Sequence, residues 1–288
     1  MSFSIHPQTS IGYVHLRISS LERSVDFYTK KIGFSVLRQE QAENGNNMAL
    51  LTVDGQTPLL ILEELPDAAP KSRTTGLYHL AVLVPSRQAL ANWLFHFNEQ
   101  EGRLEGASDH LFSEALYLSD PDHNGIEVYA DRPREQWPKQ DDGMLKGESL
   151  PLDIQQLWNE AERSSKNELP EGTTIGHIHL HVDHMKKAED FYHGVLGFDV
   201  MIRMADHALF VAAGGYHHHI GLNTWVGVGA PPNPPHAVGL SVFSIQLQNK
   251  EEFDVIADRL KAANIKLDEQ EAGLLVQDPA GNTIHFTY

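Results

Sequence analysis

GHIHLHVDHMKKAEDFYHGVLGF, residues 176–198, is the stretch of this sequence that decides the fold. Its first histidines, His177, His179 and His181, alternate with apolar residues, and this period of two predicts a half-buried strand. The residues that follow have the spacing of an amphipathic helix. A closely similar stretch, GYVHLRISSLERSVDFYTKKIGF, occupies residues 12–34. A match of this length indicates an internal repeat in which a strand leads into a helix.

The helix within the repeat has recognisable ends. Asp183 is placed to cap its N-terminus, and Phe191 and Tyr192 fall on one face. Gly197 is placed to end the helix, because glycine adopts the left-handed conformation at little cost. The repeat therefore predicts a strand, a helix and a closing glycine.

Four such units account for almost the whole chain, two in residues 11–131 and two in residues 174–288. Each unit has a strand, a helix and further strands, which we interpret as a βαβββ module. The modules span residues 11–63, 77–131, 175–223 and 239–288.

The turns and the linker between these modules are also visible in the sequence. The second and fourth modules close on related turns, which begin at Asp120-Pro and Asp278-Pro. Residues 132–173 are rich in proline and polar residues, and only residues 153–164 have helical periodicity. We interpret residues 132–173 as a linker with one helix.

Composition excludes several classes of function. Lys+Arg 22 against Asp+Glu 39 gives a net charge of −17, which argues against nucleic acid or an anionic membrane as a partner. The absence of cysteine excludes disulfides, thiolate metal sites and a cysteine nucleophile. No apolar stretch approaches the ~20 residues of a membrane helix, and the N-terminus has no signal peptide pattern. We therefore expect a soluble, cytoplasmic protein whose function uses some of its 17 histidines.

The four-module pattern resembles the vicinal oxygen chelate superfamily, which includes glyoxalases, bleomycin resistance proteins and extradiol ring-cleaving dioxygenases. The resemblance covers about residues 11–131 and 175–288. It implies an α+β fold in which the modules pair into two curled mixed sheets that enclose a metal site. It also implies that the metal ligands come from the first and last strands of modules. The fold alone does not determine the reaction.

Alignment of the modules by their helices and final turns gives the positions where ligands would lie. On the first strands, the aligned residue lies fourteen positions before a core residue of the following helix. On the last strands, it follows the aspartate of the turn by seven positions. In module order these positions are Tyr13; His79 and Glu127; His177; Val242 and His285.

The pairing of modules decides whether these positions make a metal site. If neighbours in sequence pair, neither pair collects a good set of iron ligands. If the two middle modules pair, one site holds His79, Glu127 and His177, the two histidines and one carboxylate of non-haem Fe(II) oxygenases. The outer modules would then pair without a metal. A lone histidine on a strand is more often a hydrogen-bonded core residue than a metal ligand. Three positions that together match the two-histidine, one-carboxylate ligand set nevertheless favour the crossed pairing, in which the two middle modules pair with each other.

Such a site suits ring cleavage. Two neutral imidazoles and one carboxylate leave Fe(II) with positions for both oxygens of a catechol and for dioxygen. By resemblance, the chain is a catechol 2,3-dioxygenase-like extradiol dioxygenase of aromatic hydrocarbon catabolism. Its metal would be Fe(II), with Mn(II) as the alternative, and its partners a catechol-type small molecule and O2. The resemblance also implies a homo-oligomer.

Three further residues are candidates for catalysis by resemblance. Tyr117 precedes Glu127 by ten positions, as in the extradiol signature, and its hydroxyl would hydrogen-bond the catecholate. His110 resembles a second histidine of the substrate pocket. His218, in the run Tyr216-His217-His218-His219 on the predicted strand 216–223, matches the acid–base histidine. His217 and His219 remain alternatives, because a slip of one residue turns a strand side chain to the other face.

Two other functions are consistent with the sequence. A glyoxalase-like lyase or isomerase would use a non-redox metal and four protein ligands, with His217 or His219 as the fourth. A small-molecule-binding protein of the bleomycin-resistance type would need no ligand set. Metal analysis and oxygen dependence distinguish the enzymes, and ligand binding after metal removal would identify the binding protein.

Overall fold

The strands of the protein form two sheets in a computed structural model that describes residues 3–141 and 143–288. In chain order they are β1 (Ser10–Ile18), β2 (Ser35–Gln41), β3 (Asn47–Thr52), β4 (Pro58–Glu64), β5 (Gly76–Leu83), β6 (Gly106–Asp109), β7 (Ser113–Ser119), β8 (Gly125–Asp131), β9 (Leu150–Pro151), β10 (Thr174–His181), β11 (Asp199–Met204), β12 (Ala208–Ala212), β13 (Ile220–Asn223), β14 (Gly239–Gln246), β15 (Asp268–Gln270), β16 (Gly273–Gln277) and β17 (Thr283–Thr287).

In the described part of the chain, five α-helices connect these strands. They are α1 (Leu21–Phe27), α2 (Arg87–Glu99), α3 (Ile154–Asn159), α4 (Met185–Glu189) and α5 (Lys250–Ala262). Helices α1 and α4 each run on into a π-helical segment, Tyr28–Ile32 and Asp190–Val195. Within the described residues, no helix combines the length and the apolar character that a bilayer crossing requires.

The modules pair in the crossed arrangement. The first and fourth modules form the outer sheet, with strand order β15-β16-β17-β14-β1-β4-β3-β2. The second and third modules form the central sheet, with strand order β11-β12-β13-β10-β5-β8-β7-β6-β9. In the central sheet β10 is antiparallel to β5, and His179 lies opposite His79. The predicted fold class of four paired modules in two curled mixed sheets is confirmed, and so is the predicted pairing.

Strand β10 is more buried than its sequence pattern predicts. All residues from Ile175 to Leu180 are buried, whereas the alternation of histidine and apolar residues predicted a half-buried strand. The reason is that both faces of β10 are covered, because Ile178 and Leu180 pack in the main core and His177 lies against the ring of His218. Its histidines therefore lie in an enclosed space and not on a solvated face.

The helix after β10 differs from the prediction at its N-terminus and agrees with it at its C-terminus. Asp183 is not its N-cap; His184 holds that position and makes no side-chain capping hydrogen bond. The carboxylate of Asp183 instead accepts hydrogen bonds from His184 Nδ1 at 2.7 Å and from Lys187 Nζ at 3.2 Å. Gly197 has φ +82°, so the left-handed end is as predicted, and Gly33 has φ +103° in the first module.

A buried aspartate fixes the start of each final strand in the second and fourth modules. The carboxylate of Asp120 accepts hydrogen bonds from the backbone and side-chain amides of Asn124 and from the hydroxyl of Tyr28 at 3.0 Å. Asp278 accepts the same kind of bond from Tyr192 at 2.9 Å. Burial raises the pKa of both aspartates, although these hydrogen bonds act in the opposite direction. The Asp120 turn leads directly into β8, which carries Glu127.

The predicted linker is in large part a structured wall. Strand β9 pairs with β6 and extends the central sheet, while the predicted helix 153–164 is the shorter Ile154–Asn159. Leu145 and Trp137 are buried in a small cluster with Phe112. The sequence pattern did not reveal this role, because the segment is polar and irregular and is held by contacts with distant residues.

Candidate metal centre

Three strands of the central sheet bring one ligand-type side chain each to a single point. His79 is on β5, Glu127 on β8 and His177 on β10. Glu127 Oε2 is 3.1 Å from His79 Nε2 and 3.3 Å from His177 Nε2, and the two Nε2 atoms are 3.3 Å apart. The three residues are 6%, 3% and 1% exposed. The structure therefore brings together the three side chains that the sequence predicts as candidate ligands.

The close approach of β5 and β8 depends on Gly125. A Cβ at this position would lie 2.2 Å from the carbonyl oxygen of Tyr78 and 3.1 Å from the Cβ of His79. Since real Cβ atoms do not approach so closely, a side chain here would push the two strands apart. Glycine therefore keeps Glu127 within reach of His79.

The donor atoms fit a metal ion. Ligands at right angles around one ion, with bonds of about 2.1 Å, are about 3 Å apart, which is close to the spacing seen here. Three electron-rich atoms at this separation repel one another unless a cation or a proton lies between them. Two imidazoles and one carboxylate form the ligand set of non-haem iron sites. His79, Glu127 and His177 are thus a candidate three-residue metal site.

Burial keeps these ligands in the states that bind metals. It lowers the pKa of His177 to about 4, against the opposing charge of Glu127. Burial alone would raise the pKa of the Glu127 carboxyl, but the charges and hydrogen bonds of His177 and His79 hold it well below its usual range. At neutral pH the site thus presents an unprotonated imidazole and a carboxylate, as metal coordination requires.

A cavity of about 310 Å³ opens beside the three ligands. One part of its wall is apolar and is formed by Phe112, Ile202, Met204, Phe210 and Trp225. This volume lies at the lower end of the range for small-molecule sites, and its apolar wall is typical of them. A planar ring can therefore lie within reach of His79 and Glu127, which line the same cavity.

Tyr117 and His110 lie together in the cavity. His110 Nε2 is 2.7 Å from the Tyr117 hydroxyl, and His110 Nδ1 is 2.8 Å from the carbonyl oxygen of Glu148. Because a carbonyl only accepts, Nδ1 carries the hydrogen that faces Glu148, and Nε2 can accept from the Tyr117 hydroxyl. Burial raises the pKa of Tyr117 well above its ordinary value, and the charge of Glu127 adds to the shift. The hydroxyl therefore stays protonated, with its position set by His110.

The three consecutive histidines precede β13. The predicted strand 216–223 was too long at its start, because β13 begins at Ile220 and the histidines lie in the loop after β12. His218 lines the cavity, and its ring centroid is 4.1 Å from that of His177. His217 Nε2 contacts Asp131 at 2.8 Å, and His219 Nδ1 accepts from the backbone amide of Ala213 at 3.1 Å.

Several residues of the cavity were missed by the sequence analysis. His179 lines it, and Asn223 Nδ2 donates to His179 Nε2 over 2.9 Å. Its alternation with His177 was a signal that could have identified it. Residues 147–149 of the linker and Trp225 also line the cavity. No local pattern marks these residues, because only the packing of distant segments places them there.

Buried neutral histidines predict that the protein loses stability in acid. Burial lowers the pKa of His219 from 6.5 to about 3. Between pH 6.5 and pH 3, His219 is therefore protonated in the unfolded chain and unprotonated in the folded protein. The free energy of unfolding consequently falls as the pH decreases from 6.5 towards 3. One such group contributes about 1.4 kcal/mol per pH unit. We expect urea denaturation between pH 7 and pH 4.5 to show this dependence, and His219→Asn, which keeps an acceptor for Ala213, to reduce the slope by that amount. An unchanged slope would contradict the assignment.

Comparisons with known proteins identify the family of the chain. The model of the Glyoxalase/Bleomycin resistance protein/Dioxygenase superfamily matches residues 10–128 and 174–286. A protein of Bacillus subtilis (strain 168) named catechol-2,3-dioxygenase is 49% identical over 279 residues, and the match covers 96% of each chain.

Solved structures show the same fold at low sequence identity. A candidate dioxygenase of Bacillus subtilis superposes with a TM-score of 0.65 at 10% identity, over 99% of this chain and 86% of that one. Glyoxalase I from Zea mays superposes with a TM-score of 0.60 at 13% identity, over 97% and 92% of the two chains. The family model matches both halves of the chain, and the 49% identical relative covers nearly all of it. This chain therefore belongs to the glyoxalase/bleomycin resistance protein/dioxygenase superfamily.

Proposed function

We propose that the protein is an Fe(II)-dependent extradiol dioxygenase, which opens a catechol-type aromatic ring with O2. The observation that carries this proposal is the triad of His79, Glu127 and His177, with donor atoms 3.1 to 3.3 Å apart beside an apolar cavity. The protein is 49% identical to one named catechol-2,3-dioxygenase, and this similarity supports the proposal of the same reaction. The ligand set accepts Fe(II) and also Mn(II).

The three ligands would hold the metal from one side. When bound, the metal supplies a centre at which the catechol oxygens and O2 can exchange electrons. His79, Glu127 and His177 come from three adjacent strands, so the sheet itself sets their separation. The apolar side chains of Phe112 and Phe210 orient the ring and exclude water from it.

His218, Tyr117 and His110 would handle protons and orient the substrate. Burial lowers the pKa of His218 well below its ordinary value, so the ring is neutral. A neutral His218 can take a proton from a catechol hydroxyl and return it later in the reaction. The Tyr117 hydroxyl, held by His110, can accept a hydrogen bond from a substrate hydroxyl.

The proposal has a direct test. The protein is reconstituted with Fe(II) without air, then mixed with catechol and exposed to air. We expect a yellow ring-opened product and the uptake of one O2 per catechol, with no turnover by protein that holds Zn(II). Activity supported by Ni, Zn or Co without O2 would instead identify a lyase, and catechol binding that is unchanged after metal removal would identify a binding protein.

A lyase would require a fourth protein ligand, for which His217 and His219 were the candidates. Among the described residues, the ligand cluster holds only His79, Glu127 and His177. His217 and His219 have ring nitrogens engaged with Asp131 and Ala213. These contacts favour the dioxygenase. The proposal extends to aromatic catabolism in the cytoplasm by a homo-oligomer, which cell fractionation and sedimentation would test.

A further inference from the structure

A chain of hydrogen-bonded side chains runs behind the cavity. Asp131 Oδ1 is 2.8 Å from His217 Nε2, and His217 Nδ1 is 2.9 Å from His218 Nδ1. The carboxylate of Asp131 is 24% exposed, whereas the side chain of His217 is fully buried. His218 is the member that lines the cavity. The chain therefore links a carboxylate near the protein surface to a histidine beside the candidate metal centre.

The order of donors in this chain follows from its chemistry. An ionised carboxylate only accepts, so His217 Nε2 must carry the hydrogen that faces Asp131. A ring that carries its single hydrogen on Nε2 has a lone pair on Nδ1, so in that form His217 Nδ1 is the acceptor. The contact between the two Nδ1 atoms then requires a hydrogen on His218 Nδ1. Its Nε2 is left with a lone pair and no hydrogen.

Packing and hydrogen bonds together set the orientation of the His217 ring. His217 stacks on Phe112, with ring centroids 4.6 Å apart and planes at 18°. Tyr216 lies against it at 4.0 Å, and Trp137 of the linker at 5.4 Å. These rings hold the plane of His217, and a ring turned by 180° about its Cβ–Cγ bond would place carbon atoms where Nε2 meets Asp131 and Nδ1 meets His218.

Asp131 itself is held by the strand that carries a metal ligand. It is the last residue of β8, four positions after Glu127. A shift of β8 would move the carboxylate of Glu127 and that of Asp131 together. The same strand thus sets the distance between the candidate metal centre and the residue that orients His217.

We propose that Asp131 and His217 are positioning residues, which hold His218 in the tautomer whose Nε2 is free to accept a proton. Their role in turnover rests on the proposed dioxygenase function, but the tautomer itself does not. Neither residue lines the cavity. Both act through His218, because the hydrogen bond at one ring nitrogen of a histidine fixes its tautomer and the orientation of its ring.

The tautomer can be measured without turnover. Protein labelled with ¹⁵N-histidine and loaded with diamagnetic Zn(II) is examined by long-range ¹H–¹⁵N correlation spectra, with His218→Phe used for assignment. We expect the Nδ1–H form of His218 in the wild type and a mixture of tautomers in Asp131→Leu. An Nε2–H form in the wild type would overturn the proposal, whatever the enzyme's reaction proves to be.

Kinetics test the consequence. In Asp131→Leu and in His217→Phe, which keeps the aromatic packing, we expect kcat to fall about 10- to 100-fold, with iron content and the KM for catechol within about twofold of wild type. Asp131→Asn retains an acceptor oxygen and is expected to recover much of the loss. Wild-type kcat in both Asp131→Leu and His217→Phe would overturn the positioning role. If the wild type cleaves no catechol while the tautomer is as stated, the failure belongs to the proposed function alone.

Discussion

Substitution of His177 by alanine is expected to leave the desalted protein without iron and without ring cleavage. His177 supplies one of three donor atoms, while His79 and Glu127 come from the other half of the sequence. Protein metal sites contribute on the order of 10 kcal/mol, so the loss of one ligand costs roughly 3 kcal/mol, or about 10²-fold in affinity. The measurement is the iron content after anaerobic reconstitution and desalting, followed by O2 uptake with catechol.

The outer sheet offers a matched control for this variant. His285 is on β17, at the position that Glu127 holds on β8, and its Nδ1 is 2.7 Å from the Tyr13 hydroxyl. His285→Ala removes a histidine from an equivalent strand and is expected to keep iron and activity. If His177→Ala bound iron and consumed O2 like the wild type, the site built across the two halves of the chain would be wrong.

Substitution of His218 by phenylalanine is expected to separate metal binding from turnover. Phenylalanine fills a similar volume between Phe210 and His177 but can neither take nor return a proton. General acid–base catalysis contributes about 10²- to 10⁴-fold, so kcat should fall by that factor while the iron content stays at one equivalent. Stopped-flow mixing of the anaerobic catechol complex with O2 measures the loss directly.

The neighbouring histidine provides the control for this second variant. His219 has a ring nitrogen on the backbone amide of Ala213 and does not line the cavity. His219→Asn keeps that hydrogen bond and should retain kcat within about twofold at pH 7.5, since it removes no group from the cavity. Equal losses in His218→Phe and His219→Asn would show that the loop, and not a particular imidazole, is what turnover requires.

Much of the candidate site could be predicted from the sequence because its signals are local. Turns that begin at Asp120 and Asp278 place the next ligand position seven residues later, and helix spacing aligns the first strands. These patterns depend on backbone geometry within about fifteen residues, so they survive in a single sequence. His79, Glu127 and His177 were found in this way.

Other features could not be predicted because they depend on contacts between distant segments. Residues 132–173 carry no pattern of a cavity wall, and yet Trp137 covers His217 and residues 147–149 line the cavity. Asp183 has the spacing of an N-cap, but its carboxylate accepts hydrogen bonds from His184 and Lys187 instead. The loop that holds His217, His218 and His219 was read as a strand, because its end is set by pairing with β12 and not by composition.

The sequence by itself determined that there are four repeated modules, where each could supply a ligand, and which three side chains would meet if the two middle modules pair. Only the tertiary structure decided that β5 lies beside β10 and β1 beside β14. The physical reason is that these four strands have similar patterns and could each pair with any other, so local propensity does not discriminate among them. Packing of the whole chain selects one arrangement, and that choice brings imidazoles from separate halves to the same carboxylate.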